Sequence, residues 1–244
     1  MEDISLKKQE IFDRGVRILE LARARFVRGG YLGLGLNSLA AELGVSRGTI
    51  YNHFKCKEEI ILALLQDTME IRLGMYRRAA AYQGTPRVRM TALGVAGELF
   101  VKLYPDHFCV ERVVQSDSIW GKTTEERRAL VKSSQLRCVE VVAGVVRDGV
   151  AQNHITLPAD MTPESLVFGL WAMTDGAYSI IATSDAMIDM GIAEPFLAIR
   201  RTIQNVLDGF GWTPLSADYD FDAAMERIVK DVFPEEYSRL KQSW

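Results

Sequence analysis

The sequence predicts an all-α fold of about ten helices, and three observations predict it. Apolar residues recur three and four positions apart along most of the chain. That spacing gathers them on one face of a helix turning 100° per residue. No segment keeps the apolar–polar alternation of a half-buried strand for long. The breaks also fall where helices stop and start: Gly29-Gly30, Gly44, Gly84-Thr85-Pro86, Tyr104-Pro105, Trp120-Gly121 and Thr162-Pro163. Glycine frees the backbone at a helix end, and proline is preset for a first helical turn.

A chain of 244 residues has room for one or two domains with a real core. Its 48% hydrophobic and 25% charged residues suit a globular protein. No apolar run approaches the ~18 residues of a membrane span, and the start, MEDISLKKQE, lacks the apolar stretch of a secretion signal. Cys56, Cys109 and Cys138 are odd in number and scattered, which fits a reducing cytoplasm. His53, His107 and His154 form no zinc-ligand spacing with them, so no metal and no cofactor is expected. A net charge of −3 argues against a protein that coats nucleic acid, but residues 1–57 hold ten Lys/Arg against six Asp/Glu. The remainder is acidic, so phosphate attraction is concentrated at one end.

The first helix is expected over Leu6 to Arg28, burying Ile11, Gly15, Ile18, Leu19, Ala22 and Phe26. Arg23, Arg25 and Arg28 near its end either reach a DNA backbone or sit on a solvated face. A second helix carries Leu36, Leu39, Ala40 and Leu43 on one side, and Gly44 suits the left-handed turn after it. Ser46 caps a third helix, in which Ile50 and Phe54 point inward. The outward face then presents Gly48, Thr49 and Asn52, flanked by Arg47, Tyr51 and His53. Two short helices about a tight corner, with small and polar residues outside, make a helix-turn-helix.

Lys57 opens a long fourth helix with Ile61, Leu64, Leu65, Thr68, Ile71 and Met75 on one stripe. Thr85-Pro86 begins a fifth, carrying Met90, Leu93, Phe100 and Leu103. A sixth is expected from Asp106 to about Ser118, and Thr123 with Glu126 reads as a capping box for a seventh. Thr162-Pro163 begins an eighth, apolar nearly all round, which requires cover on both sides. A ninth runs from about Glu194 to Phe210 and a tenth from Phe221 to Phe233. The tenth is one possible cover for the eighth; a second subunit is the other.

From Gly44 to Ile60 the chain reads G-V-S-R-G-T-I-Y-N-H-F-K-C-K-E-E-I. Here it resembles the TetR/AcrR family of bacterial transcription regulators over roughly residues 30 to 61, with a departure at Gly35, where the family more often has Thr or Ser. The resemblance implies a DNA-binding head (residues 1–56) on a helical ligand-binding and dimerisation body (residues 57–244). It implies a homodimer on a double-stranded, pseudo-palindromic operator, acting in the cytoplasm and more often as repressor than activator.

The head's candidate DNA contacts are Asn37, Ser46, Arg47, Gly48, Thr49, Tyr51, Asn52, His53 and Lys57. Arg47 has the chemistry for a bidentate bond to guanine, and Asn52 for adenine or a phosphate. Gly48 permits close backbone approach. By resemblance Thr49 and Tyr51 meet phosphates or thymine methyls, while His53 and Lys57 hold the backbone; for His53 helix packing is the alternative. For the body the resemblance implies a small hydrophobic or amphipathic effector. Phe100, Tyr104, His107, Phe108, Trp120, Trp171, Met173 and Asp175 are candidates for an apolar cavity with a polar handle, or for plain core. In the family the eighth and ninth helices meet their copies as a four-helix bundle, which makes Phe168, Ala172, Tyr178, Ile199, Ile203 and Val206 candidates for the dimer face. No nucleophile–base spacing or phosphate-cradling loop points to an enzyme; His107 and Cys109, two apart, face different ways on a helix. A DNA-binding protein that senses no small molecule is the remaining alternative.

Overall fold

The computed structural model describes residues 2–114 and 117–242, and within them the chain is helical with no strand. Twelve helices follow one another: α1 (Glu2–Gly33), α2 (Leu36–Glu42), α3 (Arg47–His53), α4 (Lys57–Ala80), α5 (Pro86–Leu103), α6 (Pro105–Val113), α7 (Asp117–Trp120), α8 (Glu125–Ala151), α9 (Pro163–Ile181), α10 (Pro195–Gly209), α11 (Phe221–Val232) and α12 (Pro234–Gln242). They form two compact units, Met1–Glu70 with Pro105–Gln135 and Ile71–Tyr104 with Leu136–Trp244.

The first unit is built on one apolar cluster. Ile18, Ala22 and Phe26 of α1, Leu39 and Ala40 of α2, and Ile50 of α3 are all buried in it. The core does not stop at residue 56: Ile60 to Leu65 of α4, with Val110, Val114, Ile119 and Val131, complete the same cluster. A boundary between residues 56 and 57 therefore cuts through it. Gly30 (φ 59°, ψ −155°) breaks α1 where the paired glycines predicted a stop, and the helix resumes for one short turn to Gly33. Ile11 departs from the expected buried stripe: it is 48% exposed, because α1 begins well before the residues that pack against it.

Two more boundaries differ from expectation. The predicted sixth helix divides into α6 and α7, with residues 115 and 116 outside the described ones. The cap of α8 is Thr124, whose hydroxyl accepts from Arg127 N at 3.3 Å, while the Thr123 hydroxyl donates to Trp120 O at 2.9 Å. Thr85 caps α5 as predicted, and Thr162, where the eighth helix was expected to begin, caps α9; each accepts from the amide three residues on.

In the second unit α5 is central, with thirteen of its eighteen residues buried. Arg87 in its first turn is fully buried and donates to Gln204 O (3.1 Å), Gln204 Oε1 (2.7 Å) and Asp208 Oδ1 (2.9 Å), which fastens α5 to α10. Its guanidinium also lies over the Phe221 ring, 5.0 Å from the centroid. The tenth predicted helix, α11, packs chiefly on α5 and α12. It is therefore not chiefly a cover for α9, one of the two covers that the sequence left open. The sequence reading missed α12 altogether, a nine-residue amphipathic helix opening on Pro234. Arg78 holds it through Glu236 and lies 4.8 Å from the Phe233 ring centroid.

Candidate nucleic-acid interface

The corner between α2 and α3 is fixed by backbone chemistry. Gly44 takes φ 65°, a value that strains a residue with a Cβ. There Val45 N reaches back to Ala40 O at 3.0 Å and Gly44 N to Ala41 O at 3.2 Å, closing the end of α2. Ser46 then caps α3, its hydroxyl accepting from Thr49 N at 3.1 Å, a bond typically worth about 1 kcal/mol. Ile50 is fully buried and Phe54 nearly so, which orients the rest of the short helix. Arg47, Gly48, Tyr51 and Asn52 are exposed and Thr49 is half-buried, so one side of α3 offers a guanidinium, an amide, a phenol and bare backbone. Asn37 is exposed on the first turn of α2. That is a short polar ridge of the width an open major groove admits.

Gly35 has a local reason. It is the N-cap of α2 without a side-chain bond, and Ser38 Oγ donates to its carbonyl at 2.9 Å. A Cβ at residue 35 would stand 3.0 Å from that hydroxyl, so a hydroxyl at 38 occupies the space a threonine at 35 would need.

The flanking residues are held by the protein itself. Lys57 Nζ sits 3.5 Å above the centroid of the Tyr31 ring. His53 is half-buried beside Gly15 of α1, where a Cβ would come within 3.6 Å of its Nδ1. Burial, and then Arg14, lower its pKa, so near neutral pH it is an uncharged ring packed on α1. Of the three arginines ending α1, two are engaged: Arg23 with Asp67 and His107, and Arg25 with Ser38 and Glu42, its Nε 2.9 Å from the carboxylate. Arg28 Nε donates to Ala24 O at 3.2 Å.

A set of residues the sequence reading did not single out stands behind the ridge. Tyr31 donates its hydroxyl to Glu58 at the start of α4, and Lys122 Nζ lies 3.3 Å from the same carboxylate. Burial by itself would raise the Glu58 pKa, but the hydrogen bonds from Tyr31, its own backbone amide and Lys122 outweigh it and hold it at about 2. Next to it Glu59 accepts from Thr124 N at 2.6 Å and from Arg127 Nε at 3.3 Å. The Glu-Glu pair after Lys57 was the only available sign of this, and helix propensity explains such a pair equally well.

The effector and dimer candidates do not form one group. His107, Phe108 and Trp120 lie in the first unit, where Phe108 is buried and Trp120 Nε1 donates to Val114 O at 2.9 Å. Phe100 and Tyr104 belong to the second unit and stack at 5.6 Å. Met173 and Asp175 are half-buried on α9. Trp171 is 56% exposed and meets Phe168, 65% exposed, edge-on at 6.5 Å, so it lies on an outer face and lines no interior cavity. Ala172 is exposed and Ile199, Ile203 and Val206 are half-buried. Tyr178 is buried inside its own unit against Phe196, at 5.7 Å, which removes it from that outer face.

One cleft of about 500 Å³ is lined by residues including Tyr82, Val88, His154, Pro214 and Tyr219, and a second of about 400 Å³ by Ile155, Leu157, Pro158 and others. Neither is lined by an effector candidate. Among the described residues no group of His, Cys, Asp and Glu could hold a metal ion, and no helix is long and apolar enough to cross a membrane.

Comparison with known proteins agrees with this geometry. Residues 18–64 match the family described as bacterial regulatory proteins, tetR family. The fatty acid metabolism regulator protein of Bacillus subtilis is 21% identical over 183 residues, 72% of this chain and 92% of that protein. The transcriptional repressor KstR2 of Mycobacterium tuberculosis is 21% identical over 152 residues, 62% and 74% of the two chains. Among solved structures, a putative transcriptional regulator from Saccharomonospora viridis in complex with choline superposes with a TM-score of 0.62 at 22% identity, covering 80% of this chain and 96% of that one.

Proposed function

This chain belongs to the TetR family of bacterial regulatory proteins, and from that premise we propose that it is a homodimeric transcriptional repressor whose α3 reads a pseudo-palindromic operator. The exposed ridge of Arg47, Gly48, Tyr51 and Asn52 over buried Ile50 carries this reading. Arg47, at the first position of α3, pairs with guanine, and Asn52, five residues on, with adenine or a phosphate. Gly48 lets the helix approach closely. Thr49, Tyr51, Asn37 and the capped corner at Ser46 meet the backbone, which sets register without reading sequence. Lys57 contributes charge from its perch on Tyr31. His53 serves by packing α3 on α1.

Two heads on one face of DNA must stand about one turn, ~34–36 Å, apart. We assign the dimer contact to the outer face of α9, with Phe168, Trp171 and Ala172, together with Ile199, Ile203 and Val206 of α10. Exposed aromatic pairs of this size ordinarily mark an interface. A small effector that binds better at another head spacing would release the operator by that difference in affinity. The choline held by the structural neighbour supports such a pocket in the body. Repression follows the relative named a repressor. The setting is the bacterial cytoplasm, where the operator is.

Selection from random duplexes tests the reading. It should return two inverted half-sites about one turn apart, bound by one dimer. Enrichment of no common sequence would overturn it.

A further inference from the structure

Three helix ends of the second unit meet around the cleft of about 500 Å³, and each end is closed by its own chemistry. α5 starts at the Thr85 cap, whose hydroxyl accepts from Val88 N at 3.4 Å. Past the end of α8, Asn153 is held at φ 56° and His154 N returns to Gly149 O at 2.9 Å. Past the end of α10, Gly211 takes φ 63° and Trp212 N returns to Leu207 O at 3.1 Å. Trp212 is fully buried, its ring so close to α8 that a Cβ at Gly149 would stand 3.1 Å from it. Thr213 N then donates to His154 O at 2.8 Å, which ties the last two ends together. The walls are thus in place before any guest arrives, and a guest is spared the cost of ordering them.

This arrangement orients one side chain. The Thr213 hydroxyl has a single proton, and it goes to His154 O at 3.3 Å. The 3.0 Å contact between the same hydroxyl and His154 Nδ1 is then made by the ring's own N–H. In the uncharged ring this fixes the tautomer and leaves the lone pair on Nε2, in a half-buried side chain that lines the cleft. Around it Tyr82, Pro214 and Tyr219 are half-buried and Val88 is buried. The Phe221 ring meets Tyr219 edge-on, with centroids 4.9 Å apart. None of the described lining residues is Asp, Glu, Lys or Arg. An ionic guest would lose water there without gaining a counter-charge, whereas a flat neutral one would cover the phenol rings.

We propose that this cleft binds a small uncharged aromatic molecule with a ring hydroxyl or N–H, which donates to His154 Nε2 while its ring lies against Tyr82 and Tyr219. The cleft's volume is within the range of small-molecule sites, with room for about two fused rings. The site lies beyond the regulator reading: none of the effector candidates lines it, and its occupation is measured without DNA.

Titration calorimetry on the full chain tests this with 2-naphthol, 2-methoxynaphthalene and 2-naphthoate, which share a ring system and differ in donor and charge. 2-Naphthol should bind at one site, at least about fivefold more tightly than either of the others. His154→Phe, which keeps a ring and loses the acceptor, should bring 2-naphthol down to the level of the ether. Tyr219→Ala, which removes ring contact alone, should weaken naphthol and ether alike. Circular dichroism and melting verify that both variants are folded. In the wild-type chain, 2-naphthol should also move the Nε2 nitrogen resonance of the histidine that is missing from His154→Phe, which a ring that serves only to hold Thr213 would not show. Equal binding of the ether, preference for the naphthoate, no binding by any probe, or an unmoved His154 resonance would overturn the inference. None of these results bears on the regulator reading, which stands or falls on sequence preference.

Discussion

Replacing Glu58 by glutamine would test how the ridge is anchored. The carboxyl is buried, accepts from Tyr31 and faces Lys122, and its pKa is held at about 2 against an ordinary 4.5. A shift of that size corresponds to at most about 3 kcal/mol of folding stability at neutral pH. Glutamine keeps one oxygen for Tyr31, so Glu58→Gln should cost about 1–3 kcal/mol. Because the folded pKa is depressed, the contribution is complete above pH 4.5 and is lost as pH falls toward 2. The assay is urea unfolding of wild type and variant from pH 7 down to pH 3. The gap between them should be full at pH 7 and less than about half that size at pH 3. Subtracting the variant cancels other titrating carboxylates that do not touch Glu58. A gap that stays constant over this range would refute the claim that Glu58 is held ionised.

Three further substitutions probe the interface and the outer face. Arg47→Ala should relax base preference at one operator position by about 1–3 kcal/mol, read by competition with single-base variants; an unchanged preference would remove Arg47 from the bases. Lys57→Ala should weaken all duplexes alike and reduce the slope of log affinity against log salt by about one; an unaltered slope would leave Lys57 as a partner of Tyr31 alone. Trp171→Arg should leave melting nearly unchanged, because the residue is 56% exposed, yet raise the dimer dissociation constant in sedimentation at least about tenfold. A dimer of wild-type strength would show that α9 meets its copy elsewhere.

The sequence made the helices and the ridge legible because local chemistry decides both. Gly30 and Gly44 take positive φ where their neighbours predicted breaks, Thr85 and Ser46 cap as expected, and α9 begins after Thr162 as expected. What depends on distant contacts was not legible. Ile11 fits the buried stripe by spacing, but periodicity cannot say how far a neighbouring helix extends. Thr123 and Thr124 are equivalent as caps until Trp120 O claims one of them. The Tyr31–Glu58–Lys122 contact joins residues up to 91 positions apart, and no local pattern marks it. The aromatic body residues were alike in composition. Only burial separates Trp171, outside, from Tyr178, inside.

On this reading α3 distinguishes one DNA sequence from others. Its most direct measure is the affinity of the purified protein for its selected duplex against a scrambled duplex of equal length, at one physiological salt concentration. The expected result is at least about a thousandfold preference, lost on adding the cognate effector. Affinities within about tenfold of each other at that salt would contradict it, leaving a protein that binds phosphate backbone alone.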